Sequence, residues 1–191
     1  MKNRVGKLFI ITGPSGVGKG TILNEFFPSI PTARYSISST TRKPREGEVH
    51  AKHYYFINEE EFLGAIERDE FLEHAQYGGN YYGTGEKFVS EMLAQGYDVI
   101  LEIEVQGAKK VMKKRPDAVS IFIAPPSLEE LERRLRGRQT EDEASISARM
   151  EIARKEIEDI ALYKYNFKNI TVEDSLSELI KIYTQETSVA K

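Results

Sequence analysis

The 191 residues are 40% hydrophobic and 30% charged, enough apolar material for one well-buried core and too short a chain for two cores of ordinary size. A net charge of −3 supplies no global positive field to gather a nucleic-acid backbone, and no run approaches the ~20 apolar residues needed to cross a membrane. The chain has no cysteine, which rules out disulfides, thiolate metal sites and cysteine nucleophiles; the expected setting is cytoplasmic, with small-molecule partners.

In chain order, "MKNRVGKLFIITG" begins basic and turns apolar. Its apolar part is too short for a secretory leader and runs straight into a glycine loop, so it is expected to be a first strand, 8–13. A helix follows from about Gly18, and a further strand is expected near 34–38. From Ser38 to Thr84 the texture changes. Tyrosine, glycine and polar residues crowd together in "SSTTRKPREGEVHAKHYYF" and "EFLEHAQYGGNYYGT", which suits short antiparallel strands around one helix at about Glu59–Arg68. "DVILEIEV" then predicts a strand over 98–105 with a helix through Lys114, and "AVSIFIA" a strand over 118–124. "PPSLEELERRL" carries its own helix start, with Ser127 as N-cap and Glu130 three residues on. The charged patch "RRLRGRQTEDEAS", Arg133–Ser145, separates two helices as a mobile lid would. "NITV", Asn169–Val172, is the expected last strand before a C-terminal amphipathic helix. Alternating short β-runs and longer helical patterns point to a parallel sheet covered by helices on both faces.

The strand, glycine loop and helix at the start fit the phosphate-binding pattern G-x-x-x-x-G-K. Here it is Gly13-Pro14-Ser15-Gly16-Val17-Gly18-Lys19, followed by Gly20 and Thr21. Glycines let consecutive backbone N–H groups turn inward around an anion, and the helix N-terminus adds partial positive charge. Lys19 is placed to reach the β/γ-phosphates of a nucleoside triphosphate. Gly20 stands where the usual pattern wants a Ser or Thr for Mg²⁺. The Thr21 hydroxyl lies about 100° further round the helix at ~3.6 residues per turn, so a Mg²⁺ ion would lean on phosphate oxygens and water. The strand "ILEIEV" lacks the terminal Asp of a switch-type GTPase and offers Glu102 and Glu104 on one side instead, which disfavours hydrolysis as the main activity.

The acceptor of the phosphoryl group is suggested by the turn-rich segment. Arg42 and Arg45, with Tyr54 and Tyr82, supply charge-assisted donors suited to a second phosphate. Glu73 lies in the apolar run "FLEHAQY", where a bare carboxylate is costly unless it meets donors. Guanine offers N1–H and N2–H₂ on one edge, whereas adenine offers an acceptor at N1; the Ser38 and Thr84 hydroxyls could complete that recognition.

Over nearly its whole length the sequence resembles the guanylate kinases, through "GPSGVGKGT", "SSTTRKPREGE", "GNYYGT", "EIEVQGA", "FIAPPS" and "RLRGRQTE" in order. The resemblance implies ATP-dependent phosphorylation of GMP, and of dGMP, to the diphosphate by direct in-line transfer with Mg²⁺. It also implies a single domain over 1–191, a P-loop α/β parallel sheet covered by helices. The core is expected over 1–37, 85–132 and 164–191, the inserted mixed α/β GMP-binding region over 38–84, and a helical lid over 133–163. ATP-binding residues fall on 13–21. Phosphate-gripping residues of the acceptor site fall on Arg42, Arg45, Tyr54 and Tyr82, and guanine-reading ones on Ser38, Glu73 and Thr84. Glu48 and the acidic pair Glu102 and Glu104 complete the GMP side. Lys19 and Arg42 act in catalysis together with lid arginines at Arg134, Arg138 and Arg149. No metal ligand from the protein itself is assigned.

Four positions depart from the family pattern. Glu104 stands where Asp is frequent, Gln139 where Gly is commoner, and Lys164 in place of the Asp of "YDY". Val172-Glu173-Asp174 replaces the late "V-N-D", removing an Asn that could contact adenine. Gly20 is within family variation. No general base is required, because a phosphate monoester with a second pKa near ~6 is already nucleophilic at neutral pH. Two rival functions are a non-catalytic peptide-binding module of the same fold, which the intact loop and Lys19 oppose, and a kinase of the same fold for another acceptor, such as another nucleotide or a phosphorylated sugar; a sugar phosphate would not need Ser38, Glu73 and Thr84. His50, His53 and His74 are expected at the surface or satisfied in the core. Tyr77 and Tyr81 are expected in packing, and Arg133 and Arg136 in solvated helix pairs. The sequence assigns no oligomeric state.

Overall fold

In the computed structural model, which describes residues 4–137 and 142–188, the elements run β1 (Leu8–Thr12), α1 (Lys19–Ser29), β2 (Ala33–Tyr35), β3 (Ser39–Thr40), β4 (Tyr55–Phe56), α2 (Glu59–Glu67), β5 (Phe71–Tyr77) and β6 (Asn80–Gly85). They continue with α3 (Glu86–Ala94), β7 (Asp98–Glu102), α4 (Val105–Lys114), β8 (Val119–Ala124), α5 (Leu128–Arg136), α6 (Glu143–Glu158), β9 (Tyr165–Lys168) and α7 (Val172–Ser188). One sheet has the order β2-β7-β1-β8-β9, and a second the order β4-β3-β6-β5. In the first, β2 pairs with β7 and β8 with β9 in parallel. Every residue of β1 and of β8 is buried, which is why "LFIIT" and "VSIFIA" read as unbroken apolar runs rather than alternating ones.

The chain divides into two compact units. One comprises the residues up to Phe9 with Thr32–Leu101 and Gln106–Ala118; the other comprises Ile10–Pro31, Glu102–Val105 and the residues from Val119 on. In the first unit, α2 is started by a full capping box: Asn58 accepts from the Glu61 N–H while the Glu61 carboxylate accepts from the Asn58 N–H. Phe62 and Ala65 of α2 then pack with Phe71 of β5. The Phe62 ring stacks on Phe71 at 4.6 Å and on Tyr81 at 5.4 Å between centroids. In the second unit, Leu131 and Leu135 of α5 pack with Ile146, Met150 and Ala153 of α6.

Several expectations need correcting. The last strand is Tyr165–Lys168 and not 169–172. Ile170-Thr171-Val172 is β-branched, but the Thr171 hydroxyl accepts from the Asp174 N–H and starts α7, so local capping overrides β-propensity. The strand expected over 98–105 stops at Glu102. In the inserted segment β3 pairs with β6 and β5 with β6 antiparallel, but β3 and β4 are parallel. Of the charged patch 133–145, α5 runs through Arg136 and α6 starts at Glu143 on an Asp142 cap, and residues 138–141 lie outside the described residues. Ser127 caps α5 as expected, accepting from the Glu130 N–H at 3.2 Å.

Candidate functional site

In the second unit β1 ends at Thr12, whose hydroxyl donates to the Ile103 carbonyl at 2.8 Å, and the chain enters the glycine loop. Gly13, Gly16 and Gly18 all have φ between 90° and 145°, a region L side chains rarely adopt. At Gly13 space adds a second demand, since a Cβ there would stand 2.1 Å from the Ile123 carbonyl oxygen. Val17 is fully buried and its N–H donates to the Pro14 carbonyl at 3.1 Å, which closes the loop. Lys19 opens α1, is only 8% exposed, and its ammonium donates to the Gly13 carbonyl at 2.6 Å. The cation is thereby held at the loop itself, on the helix end that favours anions.

A brace behind the loop was not legible in the sequence. The Asn169 side-chain amide, 4% exposed, donates to the Val17 carbonyl at 2.7 Å, and the Ser175 hydroxyl donates to Asn169 Oδ1 at 2.8 Å. Arg134 of α5 donates to the same Val17 carbonyl and to the Asn169 carbonyl, each at 3.2 Å. Its Nε donates to Glu130, which also accepts from Arg133. Those two arginines, Arg133 first, pull the Glu130 carboxyl down to about 2. Arg149 of α6 donates to the Ser15 hydroxyl. Arg138 and Gln139 lie outside the described residues. The position expected to replace the late asparagine, Val172-Glu173-Asp174, is the first turn of α7, and the asparagine against the loop is Asn169. Its only sequence signal is an Asn directly after a strand, too common to single out.

Glu102, the first of the acidic pair, sits beside the loop in the same unit. A Cβ at Gly20 would lie 3.7 Å from Glu102 Oε1, so the carboxylate occupies ground next to the place where the usual Ser or Thr would stand. Glu104 Oε2 is buried with no hydrogen-bond partner among the described residues. Hard carboxylate oxygens beside a phosphate loop suit Mg²⁺. Among the described residues no cluster of three or more His, Cys, Asp or Glu could hold a metal ion.

The inserted sheet in the first unit brings together a different set. Arg42 Nη2 donates to Glu48 Oε1 at 2.8 Å, and Glu48 Oε2 accepts from the Arg45 backbone N–H at 2.7 Å. Burial would lower the Arg42 pKa, but Glu48 and then Tyr82 outweigh it and raise it further. Burial likewise works against ionisation of Glu48, yet the Arg42 guanidinium and the Arg45 N–H hold its carboxyl below the ordinary range. Glu48 thus aims Arg42. The Tyr54 and Tyr82 rings meet edge to face at 6.1 Å, and the Arg42 guanidinium lies over the Tyr54 ring at 5.5 Å.

Glu73 and Thr84 are register partners across β5 and β6. The Thr84 hydroxyl donates to Glu73 Oε1 at 2.9 Å, with Thr84 fully buried and Glu73 5% exposed. Ser38 is buried immediately before β3, where its carbonyl accepts from the Tyr55 N–H.

The histidines do structural work: His53 Nδ1 accepts from the Val49 N–H, and His50 packs edge-on to Tyr55. Burial, then Lys110 and Lys114, lower the His74 pKa. Tyr81 packs on Phe62 as expected. Arg133 pairs with Glu130, and Arg136 with Glu132 and Glu143.

A guanylate kinase family model matches residues 5–186. The guanylate kinase of Synechococcus sp. (strain JA-3-3Ab) is 51% identical over 174 residues, covering 91% of this chain and 80% of that protein. The crystal structure of guanylate kinase from Anaplasma phagocytophilum superposes with a TM-score of 0.81 at 35% identity, covering 97% of this chain and 88% of that one. Shikimate kinase from Bacteroides thetaiotaomicron matches at a TM-score of 0.51 and 16% identity, covering 93% and 98% of the two chains, a likeness of fold alone. No helix among the described residues is long and apolar enough to cross a membrane.

Proposed function

The chain belongs to the guanylate kinase family, which phosphorylates GMP to GDP with ATP, and on that premise we propose how its own residues divide the reaction. Lys19 and the loop N–H groups hold the ATP phosphates. Arg42 and Arg45, with Tyr54 and Tyr82, grip the acceptor phosphate, and Glu48 keeps Arg42 aimed. Arg134 and Arg149, beside the loop, and Arg138, outside the described residues, are the cations proposed to neutralise the transferring phosphoryl group. Transfer is in line from ATP to the acceptor phosphate oxygen, whose ionisation at neutral pH makes a general base unnecessary. Catalysis is then a matter of positioning and charge stabilisation. Bound Mg²⁺ would sit with the ATP phosphates beside Glu102 and Glu104 and would offset phosphate charge. The assigned contacts use the base and the phosphate, so we extend the acceptor to dGMP. An ATP-dependent kinase without cysteine fits a cytoplasmic setting.

The observation that carries the acceptor assignment is Glu73, a carboxylate 5% exposed and joined to Thr84. Guanine presents it with N1–H and N2–H₂ donors; AMP presents an acceptor at N1 to a buried carboxylate, a mismatch that can reach about 10⁴-fold in specificity. Glu73→Gln is expected to narrow the GMP/AMP ratio of kcat/KM by about 10²-fold, the scale of one lost charged hydrogen-bonding group. An unchanged ratio in that variant would remove Glu73 from the assignment.

A further inference from the structure

Gly107 is the third residue of α4, a helical position at which glycine is disfavoured relative to alanine. Its value lies in what a side chain would strike. A Cβ at 107 would stand 2.5 Å from Glu73 Oε2, 2.9 Å from Glu73 Cδ and 3.4 Å from Glu73 Oε1. On the other side the same carboxylate accepts from the Thr84 hydroxyl at 2.9 Å. Neither wall can give way easily: Thr84 is fixed in the β5–β6 register and fully buried, and Ala108 and Val111 of α4 are fully buried too.

We propose that Gly107 is a positioning residue for acceptor specificity: the bare first turn of α4 seats the Glu73 carboxylate against Thr84, and that seat sets the preference for guanine over adenine. The proposal rests on the assignment of Glu73 to base recognition given above. The seat also places the negative charge at the end of α4 that favours it. With a Cβ at 107, Oε2 must retreat by about 1 Å to reach ordinary contact distance, and the hydrogen bonds it offers the base turn with it.

The test is steady-state kinetics of Gly107→Ala, Glu73→Gln and the double variant, with GMP and with AMP as acceptor. Gly107→Ala is expected to raise KM for GMP by about 10- to 100-fold, the effect of misplacing a binding group by about 1 Å. KM for ATP should be unchanged and the GMP/AMP ratio of kcat/KM should fall. The double variant should match Glu73→Gln in that ratio, because a residue acting through Glu73 then has nothing left to act on. A purely structural role would depress rates with both acceptors alike and leave the ratio intact.

If Glu73→Gln lowers the ratio while Gly107→Ala keeps it at the wild-type value, the proposal is overturned and the role of Glu73 stands. A ratio untouched by Glu73→Gln overturns both, and a double variant with fully additive losses overturns the proposal. If Gly107→Ala fails to fold, the variant combining it with Glu73→Asp decides. Folding restored by the shorter acid supports the seat, and a double variant equally unfolded contradicts it.

Discussion

Around the glycine loop, the groups proposed to hold the donor's phosphates are main-chain N–H donors and one lysine within seven contiguous residues, Gly13–Lys19. In the inserted segment the groups proposed to hold the acceptor are side chains spread from Ser38 to Thr84, of which Glu73 and Thr84 meet through strand register. The first arrangement is built from backbone conformation: Gly13, Gly16 and Gly18 supply positive φ, and Asn169 and Arg134 tie down the Val17 carbonyl. The second is built from pairwise contacts, Arg42 with Glu48 and Thr84 with Glu73, on a small sheet whose hydrophobic support is largely Phe62, Phe71 and Tyr81. Triphosphate is common to many nucleotides, and a backbone cradle suits a ligand that needs no base to be read. Selecting one base takes side chains of particular chemistry, and their placement then depends on packing.

The contrast can be broken at its weakest support. Phe62→Ala removes a fully buried ring from the insertion's aromatic stack. It is expected to cost about 3–5 kcal/mol of stability, measured by denaturant unfolding, with KM for GMP rising far more than KM for ATP. Equal loss of both affinities would show that the insertion does not carry acceptor binding by itself. On the loop side, Lys19→Ala should lower kcat by roughly 10²–10³-fold, the scale of one lost preorganised charge contact, while GMP binding by calorimetry persists. Near wild-type turnover in that variant would remove the lysine from the mechanism.

A smaller effect sharpens the account of the brace. Asn169→Ala leaves the Val17 carbonyl to Arg134 alone and should raise KM for ATP by about tenfold, the worth of one buried hydrogen bond, with the GMP/AMP ratio unmoved. A shifted ratio would mean that Asn169 serves the acceptor instead.

Smallest is the pH effect at Glu130. Its carboxyl, lowered from 4.5 to about 2 by Arg133 and Arg134, contributes stability that is present above about 4.5 and lost as pH falls through about 2. The group is only partly buried and screened by solvent, so the contribution is slight. An NMR titration of the Glu130 carboxyl with its midpoint near 4.5 would show that the arginines do not hold it.

The same contrast explains what could be read in advance. The loop was legible because its pattern is local, with strand, glycines, lysine and helix in immediate succession. Glu73 was legible because a carboxylate among "FLEHAQY" lacks an apolar explanation. The parallel pairing of β3 with β4 was hidden, since two-residue strands carry no periodicity and their partners are fixed by the turn between them. The last strand was displaced by four residues because Ile170 and Val172 mimic a strand, while Thr171 caps a helix. Asn169 and Gly107 were invisible for one reason: each meets a neighbour distant in sequence, at a position whose own residue type is unremarkable.

That the insertion selects guanine for a loop that supplies phosphoryl groups is the central proposal. Its most direct test is the rate of ADP formation from Mg-ATP with GMP, dGMP, AMP, CMP, UMP or no acceptor. Turnover confined to GMP and dGMP is the predicted result. Comparable turnover with AMP, or ADP release without any acceptor, would contradict it.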